Sequence, residues 1–265
     1  MIYPVESSRN PRALLGYRLW VRTELHFHLL PGVDDGPRDD REAVDLARLA
    51  VDDGTGRIVA TPHAHLVEIA EVPRRVERLR ATLRKAEVPL EVLGGAELSP
   101  EHVALFEQSQ FETIAQGPPG ARWLLLEAPL MRPDPGLADA ARELRERGFG
   151  VLIGHPERSR YTTLPTVREL VEEGSVIQIN ASSLVGGHGA ETARRALEIV
   201  RSGLPFVLAS DAHTPRRPPL LTRGAAALAA AGFSRGLIQF AVDHGPERLL
   251  REGLPLSWPA LAAVG

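Results

Sequence analysis

The pattern of apolar and polar positions repeats one unit along most of the chain: an amphipathic helix, a glycine and a short apolar run. The first helix has apolar side chains at the i, i+3, i+4, i+7 positions of one helix face, namely Ala43, Leu46, Ala47 and Ala50. Gly54 marks the end of this helix, because glycine readily adopts the backbone conformation that closes a helix. A strand over 57–61 follows.

The same helical spacing returns three more times before a glycine and an apolar run. Its positions are Leu137, Ala140, Ala141 and Leu144, then Val167, Leu170 and Val171, then Ala193, Ala196, Leu197 and Val200. The apolar runs predict strands at 20–28, 57–61, 90–97, 122–127, 151–153, 176–180 and 206–209. Helices that alternate with continuously apolar strands indicate a parallel sheet covered by helices, with right-handed crossovers.

About seven such units fit into the 265 residues, which favours an α/β fold closed, or nearly closed, into a TIM-like barrel. An open doubly wound sheet stays an alternative, because periodicity identifies the units but not their closure. We expect a single domain over 1–265. Within it, residues 1–19 are predicted to form an N-terminal arm and residues 220–265 a closing pair of helices.

Composition excludes several classes of function. A net charge of −3 and a pI near 6.3 give no broad cationic field, so tight nonspecific binding to nucleic acid is not expected. The chain has no cysteine, which excludes disulfides, thiolate zinc sites and phosphatases with a cysteine nucleophile. The first 20 residues do not contain the uninterrupted apolar stretch typical of a signal peptide, and no segment has about 18 apolar residues in a row. We therefore expect a cytoplasmic protein without membrane insertion.

Residues that can do chemistry follow nearly every predicted strand. They are His26, His28, Asp34, Asp35, His63, His65, Glu97, Glu127, His155, Asp211 and His213. Taken singly, each has an ordinary explanation, such as a turn role for Asp34 and Asp35 beside Gly36. The carboxyl ends of barrel strands meet at one face, however, so these side chains are expected to share one pocket.

Imidazole and carboxylate ligands without sulfur suit manganese, iron or zinc, and their number exceeds what one ion needs. The sequence therefore predicts a site for more than one metal ion at the carboxyl ends of the strands. One of His63 and His65 is also explained as a polar loop residue. His102, His188 and His244 fall outside this pattern, and we expect them to be structural or exposed.

Six motifs, in this order and spacing, resemble a known family. ELHFHLLPGVDDGP, ATPHAH, GGAEL, LLLEAP, GHPER and SDAH are similar to the polymerase and histidinol phosphatase (PHP) superfamily. Within it they look most like the bacterial manganese-dependent tyrosine-protein phosphatases of capsular and exopolysaccharide synthesis. The resemblance runs from about Glu24 to Leu250. Its most discriminating part is HLLPGVDDGP, because histidinol phosphatases usually differ after the HxH pair.

The resemblance implies a distorted (β/α)7 barrel with three divalent metal ions, manganese first and iron or zinc as alternatives. It assigns one ion to His26, His28, Glu97 and Asp211, a second to Glu97 as a bridge with Glu127 and His155, and a third to Asp35, His63 and His213. It assigns phosphate binding to Arg158 and to Arg217 rather than Arg216, in a loop slightly shorter than usual. Glu24 stands where the family usually has aspartate, and we expect it to support the ligands from behind.

The expected activity is hydrolysis of phosphate monoesters by a metal-bound hydroxide that attacks phosphorus in line. By resemblance, the substrate is phosphotyrosine on a tyrosine kinase of polysaccharide export. A ligand histidine and a metal-bound water are both candidates for the general acid. The alternatives are a small-molecule phosphatase such as histidinol phosphatase, a nuclease or proofreading module, and a non-catalytic metal-stabilised binding protein.

Overall fold

The computed structural model describes residues 22–130 and 136–254. The predicted arm at 1–19 and the end of the predicted closing segment, 255–265, lie outside the described residues. The strands are β1 Arg22–Phe27, β2 Thr55–Ala60, β3 Glu91–Gly94, β4 Glu97–Leu98, β5 Trp123–Glu127, β6 Gly150–Gly154, β7 Val176–Asn180 and β8 Phe206–Ala209. The α-helices are α1 Asp40–Asp52, α2 Val72–Lys85, α3 Gln108–Ile114, α4 Gly136–Glu146, α5 Leu164–Glu172, α6 Ala181–Leu184, α7 Ala190–Arg201, α8 Leu221–Ala230, α9 Arg235–Gln239 and α10 Gly245–Glu252.

The strands form two parallel sheets. One has the order β1-β2-β3 and the other the order β4-β5-β6-β7-β8. Backbone hydrogen bonds link them at both gaps: His28 N donates to Ala212 O at 2.9 Å, and Glu97 N donates to Pro62 O at 3.0 Å. The predicted parallel α/β architecture is confirmed. Hydrogen bonding divides the strands between two sheets, so a continuous closed barrel stays a prediction.

The prediction of a single strand over 90–97 is wrong. This segment forms two short strands, β3 and β4, which belong to different sheets. The chain passes close to β2 at the break between them. A Cβ added to Gly95 would lie only 2.7 Å from Val59 Cγ1. The break also carries Glu97 into the second sheet.

The core lies on both faces of the strands, which explains their continuous apolar character. The predicted face of α1 is fully buried at Ala43, Leu46, Ala47 and Ala50, under the helix layer. A smaller cluster fills the other side of the strands: Leu25, Val59, Trp123, Leu125, Leu152, Val176, Val207, Leu249 and Leu254. Across the part of the chain that the structure describes, no helix combines the length and the apolar character needed to cross a membrane.

The C-terminal segment differs from the predicted pair of helices. It contains α8, α9, a π-helical turn at Phe240–His244, and α10. The chain divides because Ser234 caps α9 through its side chain, which accepts from Leu237 N at 3.3 Å. This segment packs against the strands: Trp123 Nε1 donates to Leu249 O at 2.9 Å, between β5 and α10.

Gly253 gives a test of how tightly this closing segment fits. Its φ is 77° and its ψ is −159°, and an added Cβ would lie 1.9 Å from Ala121 O. Gly232 also has a positive φ, 89°, but a Cβ there would meet nothing within 4 Å. We expect Gly232→Ala to lower the free energy of unfolding by about 1–2 kcal/mol through backbone strain. Gly253→Ala should lower it by more than about 3 kcal/mol, because the steric clash adds to the strain.

Urea unfolding followed by circular dichroism measures both variants. Equal losses in the two variants would show that the contact between Gly253 and Ala121 is not a tight constraint.

Candidate metal centre

The end of β1 supplies two imidazoles that converge. His26 and His28 are fully buried, and their Nε2 atoms lie 3.2 Å apart, as the period of two along a strand predicts. The other ring nitrogens are held from behind. His26 Nδ1 lies 3.0 Å from Gln178 Oε1, and His28 Nδ1 lies 2.7 Å from Asp34 Oδ2. Each ring therefore presents one nitrogen to a common point.

The Glu97 carboxylate lies at the centre of the pocket and contacts four imidazoles. Its Oε1 is 3.2 Å from His26 Nε2 and 3.1 Å from His155 Nε2. Its Oε2 is 3.4 Å from His28 Nε2 and 3.0 Å from His63 Nδ1. Burial alone would raise the pKa of Glu97, but the charge of His26 and the hydrogen bonds from the imidazoles hold it well below its usual value. Glu97 is thus ionised and shared.

Asp211 brings a second buried carboxylate to the same point from the end of β8. Its Oδ1 lies 3.3 Å from His26 Nε2 and 3.6 Å from His28 Nε2. Its Oδ2 accepts hydrogen bonds from Arg158 Nη1 at 2.6 Å and from Asn180 Nδ2 at 2.9 Å. Burial would raise the pKa of Asp211, but the surrounding imidazoles lower it below its ordinary value. Both oxygens therefore carry negative charge towards the pocket.

The outer part of the pocket contains Asp35, His63, Glu127 and His213. Asp35 Oδ1 lies 3.2 Å from His213 Nε2 and 3.5 Å from His63 Nε2. Burial works against protonation of His63, but Asp35 and Glu97 outweigh it and raise the pKa of His63 to about 11. Glu127 Oε2 lies 3.7 Å from His63 Nδ1. Burial, with the negative charge of Glu97, raises the pKa of Glu127 to about 8.

The ligand atoms in this pocket are spaced as metal ligands require. Four groups have one ligand atom per residue, all within 4.8 Å of one another: His28, Asp35, His63 and His213; His26, His28 and Asp211; His26, Glu97 and His155; and His63, Glu97 and Glu127. Together the groups contain all nine residues proposed from the sequence. Imidazole nitrogens and carboxylate oxygens without sulfur fit manganese, iron or zinc. How these residues divide among individual ions stays a prediction, and here Glu127 is grouped with His63 rather than with His155.

Two arginines lie at the edge of this cluster. Arg158 ends the 3-10 turn Pro156–Arg158 and contacts Asp211. Arg217, in the loop after β8, places Nη1 3.1 Å from Asp35 Oδ2 and Nη2 3.8 Å from Asp211 Oδ2. For Arg216 the described contact is a backbone one, from its N to Thr214 Oγ1 at 3.3 Å. The geometry therefore favours Arg217 over Arg216 as the second pocket arginine.

Sequence reasoning missed the residues that hold the ligands in place. Asp34 was expected in the pocket, with a turn role as the alternative, but its contact with His28 was not predicted. Gln178 and Asn180 were not singled out, although Gln178 Nε2 donates to Asn180 Oδ1 at 2.7 Å and so connects His26 to Asp211. The sequence contained a signal for them: Gln178 and Asn180 are polar, lie two positions apart and end the otherwise apolar strand β7.

Glu157 extends this support. Its Oε1 accepts from Asn180 N at 2.9 Å and from Ser183 Oγ at 2.7 Å, and burial raises its pKa to about 7. Glu24 is also fully buried, and its Oε2 accepts from Ser210 N at 2.7 Å. Burial raises the pKa of Glu24 to about 7. Glu24 thus contacts the backbone next to Asp211 rather than an imidazole.

The remaining histidines lie outside the four groups. His65 is exposed and stacks on His102, with ring centroids 4.6 Å apart. His188 is half-buried and lies 3.0 Å from Ser182 Oγ through its Nε2. Burial and the charge of Arg158 lower the pKa of His188 to about 4. His244 lies in the π-helical turn.

Comparison with known proteins finds relatives that are named tyrosine-protein phosphatases. The chain is 30% identical over 239 residues to the tyrosine-protein phosphatase YwqE of Bacillus subtilis, covering 86% of this chain and 91% of that protein. It is 24% identical over 247 residues to the tyrosine-protein phosphatase CpsB of Streptococcus pneumoniae, covering 87% of this chain and 99% of that protein.

Comparison with solved structures gives the same relationship. A chain from the crystal structures of YwqE from B. subtilis and CpsB from S. pneumoniae, described as unique metal-dependent tyrosine phosphatases, superposes with a TM-score of 0.76 at 27% identity. The match covers 90% of this chain and 98% of that one. An organophosphorus hydrolase from Deinococcus radiodurans has a TM-score of 0.57 at 16% identity, with 88% and 93% of the two chains covered, and supports the fold alone.

The family model described as "Capsular polysaccharide synthesis, CpsB/CapC" matches residues 22–241, which is most of the chain. This protein therefore belongs to the CpsB/CapC family.

Proposed function

We propose that this protein is a metal-dependent phosphatase that hydrolyses phosphotyrosine in a protein substrate without a cysteine nucleophile. The observation that carries the proposal is the single pocket in which nine imidazole and carboxylate side chains meet beside two arginines. The relatives named tyrosine-protein phosphatases support the substrate class. A tyrosine kinase of polysaccharide export in the cytoplasm is the proposed partner.

The pocket would hold three divalent ions, with manganese preferred. His26, His28, Glu97 and Asp211 would hold one, Glu97, Glu127 and His155 a second, and Asp35, His63 and His213 a third. When bound, such ions lower the pKa of a water molecule for attack on phosphorus and neutralise charge on the phosphate. We further infer that the two sheets, linked by hydrogen bonds at both gaps, act as one distorted (β/α)7 barrel and that the chain is one domain.

The protein's own side chains orient these components. Gln178 and Asp34 fix the rings of His26 and His28, so each presents a defined nitrogen. Arg158 and Arg217 lie beside Asp211 and Asp35, within reach of a phosphate at the ligand cluster. Their guanidinium groups would bind nonbridging phosphate oxygens through charge-assisted hydrogen bonds and stabilise the charge of the transition state.

A screen of metals against substrates tests the proposal. The purified protein is stripped with a chelator, reloaded separately with manganese, iron, zinc or magnesium, and assayed on a phosphotyrosine peptide and on histidinol phosphate. We expect activity to disappear on chelation, to return best with manganese, and to favour the peptide. Preference for histidinol phosphate would support the small-molecule alternative, and metal binding without hydrolysis of either substrate would support the binding-protein alternative.

Asp211→Asn tests the ligand assignment with little change in shape. The variant loses the negative charge that faces His26, so we expect fewer bound metal ions per chain and a kcat on an aryl phosphate at least about 100-fold lower. Elemental analysis and steady-state kinetics measure the two effects. Asp139→Asn is the control, because Asp139 is 70% exposed and pairs with Arg142 on the surface of α4. Full metal content and activity in Asp211→Asn would refute the assignment.

Arg217→Ala and Arg216→Ala separate the two neighbouring arginines. The Arg217 side chain contacts Asp35, so its loss should lower kcat/KM on an aryl phosphate by about 100-fold, the typical effect of removing one transition-state hydrogen-bond donor. Arg216→Ala should change kcat/KM by less than about twofold, and metal content should stay unchanged in both variants. The reverse order of effects would assign the phosphate contact to Arg216.

A further inference from the structure

Four large apolar side chains are exposed to solvent among residues 22–130 and 136–254, namely Leu49, Leu66, Leu105 and Tyr161. Leu66 ends the turn Ala64–Leu66 that follows His63, and Leu105 ends the turn Pro100–Leu105 that follows Glu97. Both turns leave the carboxyl ends of strands that carry pocket residues. Exposed apolar surface next to a polar pocket commonly marks a binding site.

Each of these two turns also carries an imidazole, His65 in Ala64–Leu66 and His102 in Pro100–Leu105. The His65 ring stacks on the His102 ring at 4.6 Å between centroids and with 23° between the planes. The His65 centroid is 5.7 Å from that of His63. His65 is exposed, so part of its ring faces solvent beside the pocket. We call His65, Leu66, His102 and Leu105 the aromatic rim.

The pocket has a buried part and an exposed part. The side chains of His26 and His28 are fully buried and that of Glu97 is 1% exposed, whereas that of His63 is 20% exposed and that of Asp35 is 54% exposed. The organic group of a phosphate ester bound at the cluster has room to extend only from the exposed part. The exposed His65 ring lies next to His63 in that part.

We propose that the aromatic rim receives the aromatic ring of the phosphate ester and makes the protein select aryl over alkyl phosphates. This inference rests on the proposed function and assigns a specificity-determining role to His65. In an aryl phosphate, the ring is joined directly to the ester oxygen and extends from the pocket as a flat apolar group. The His65 ring can stack on it, and Leu66 and Leu105 can cover its edge. A short alkyl ester offers no such surface.

Binding of two phosphonates tests the rim without turnover. Phenylphosphonate carries the ring and methylphosphonate does not, and calorimetry on the manganese-loaded protein gives both dissociation constants. We expect the wild type to bind phenylphosphonate more tightly. His65→Ala should raise the dissociation constant of phenylphosphonate about threefold to tenfold, the range of one aromatic contact. The dissociation constant of methylphosphonate should change by less than about twofold. His65→Phe, which keeps an aromatic face, should restore the preference.

Leu49→Ala is the matched control, because Leu49 is an exposed apolar residue on α1, outside the rim. It should change neither constant. Equal weakening of both phosphonates in His65→Ala, or loss of bound metal, would overturn the inference and give His65 a role in the metal cluster. A wild type without preference for phenylphosphonate would also overturn it. If the protein binds phenylphosphonate more tightly but hydrolyses no phosphotyrosine peptide, the proposed function is refuted and the role of the aromatic rim in binding the ring is retained.

Discussion

The structure depends on one buried carboxylate, Glu97, which four imidazoles share. Burying a charge is costly unless opposite charges and hydrogen bonds replace the lost water. The four imidazoles come from the ends of three strands, β1, β2 and β6, and they must all lie within hydrogen-bond distance of Glu97. Parallel strands meet this requirement because their carboxyl ends lie at one edge of the fold. The architecture and the pocket thus have the same geometric origin.

The electrostatics of the pocket follow from its crowding with carboxylates. Burial would lower the pKa of His28, but Asp34 and Glu97 raise it to about 9. The pKa of His63 is raised further. A raised imidazole pKa means that the ring retains a proton at neutral pH, so protons balance part of the carboxylate charge. Divalent cations can supply the same positive charge, and imidazoles must release their protons to bind them. The carboxylates around His28 and His63 can therefore attract either protons or metal ions, whereas burial lowers the pKa of His155 and His213.

How far the sequence could predict this arrangement depends on the range of each signal. The HxH spacing and the carboxylates after apolar strands are local, so the members of the pocket could be named from the chain alone. The division of 90–97 into two strands depends on how closely Gly95 approaches Val59 of β2, which no local pattern contains. The links from Gln178 and Asn180 to His26 and Asp211 depend on the register of β7 against distant strands. Such contacts between strands explain why the supporting residues were missed.

Two of the candidate ligands have backbone conformations that residues other than glycine rarely adopt. His155 has φ 35° and Asp211 has φ 52°, and left-handed geometry costs about 1–2 kcal/mol per residue. Both backbone N–H groups nevertheless bond to neighbouring strands, His155 N to Gln178 O at 2.8 Å and Asp211 N to His26 O at 3.1 Å. The acceptors belong to residues that face the pocket themselves. The strain is therefore maintained by hydrogen bonds from the end of β6 to β7 and from the end of β8 to β1, so the orientation of these two side chains depends on how the strands pair.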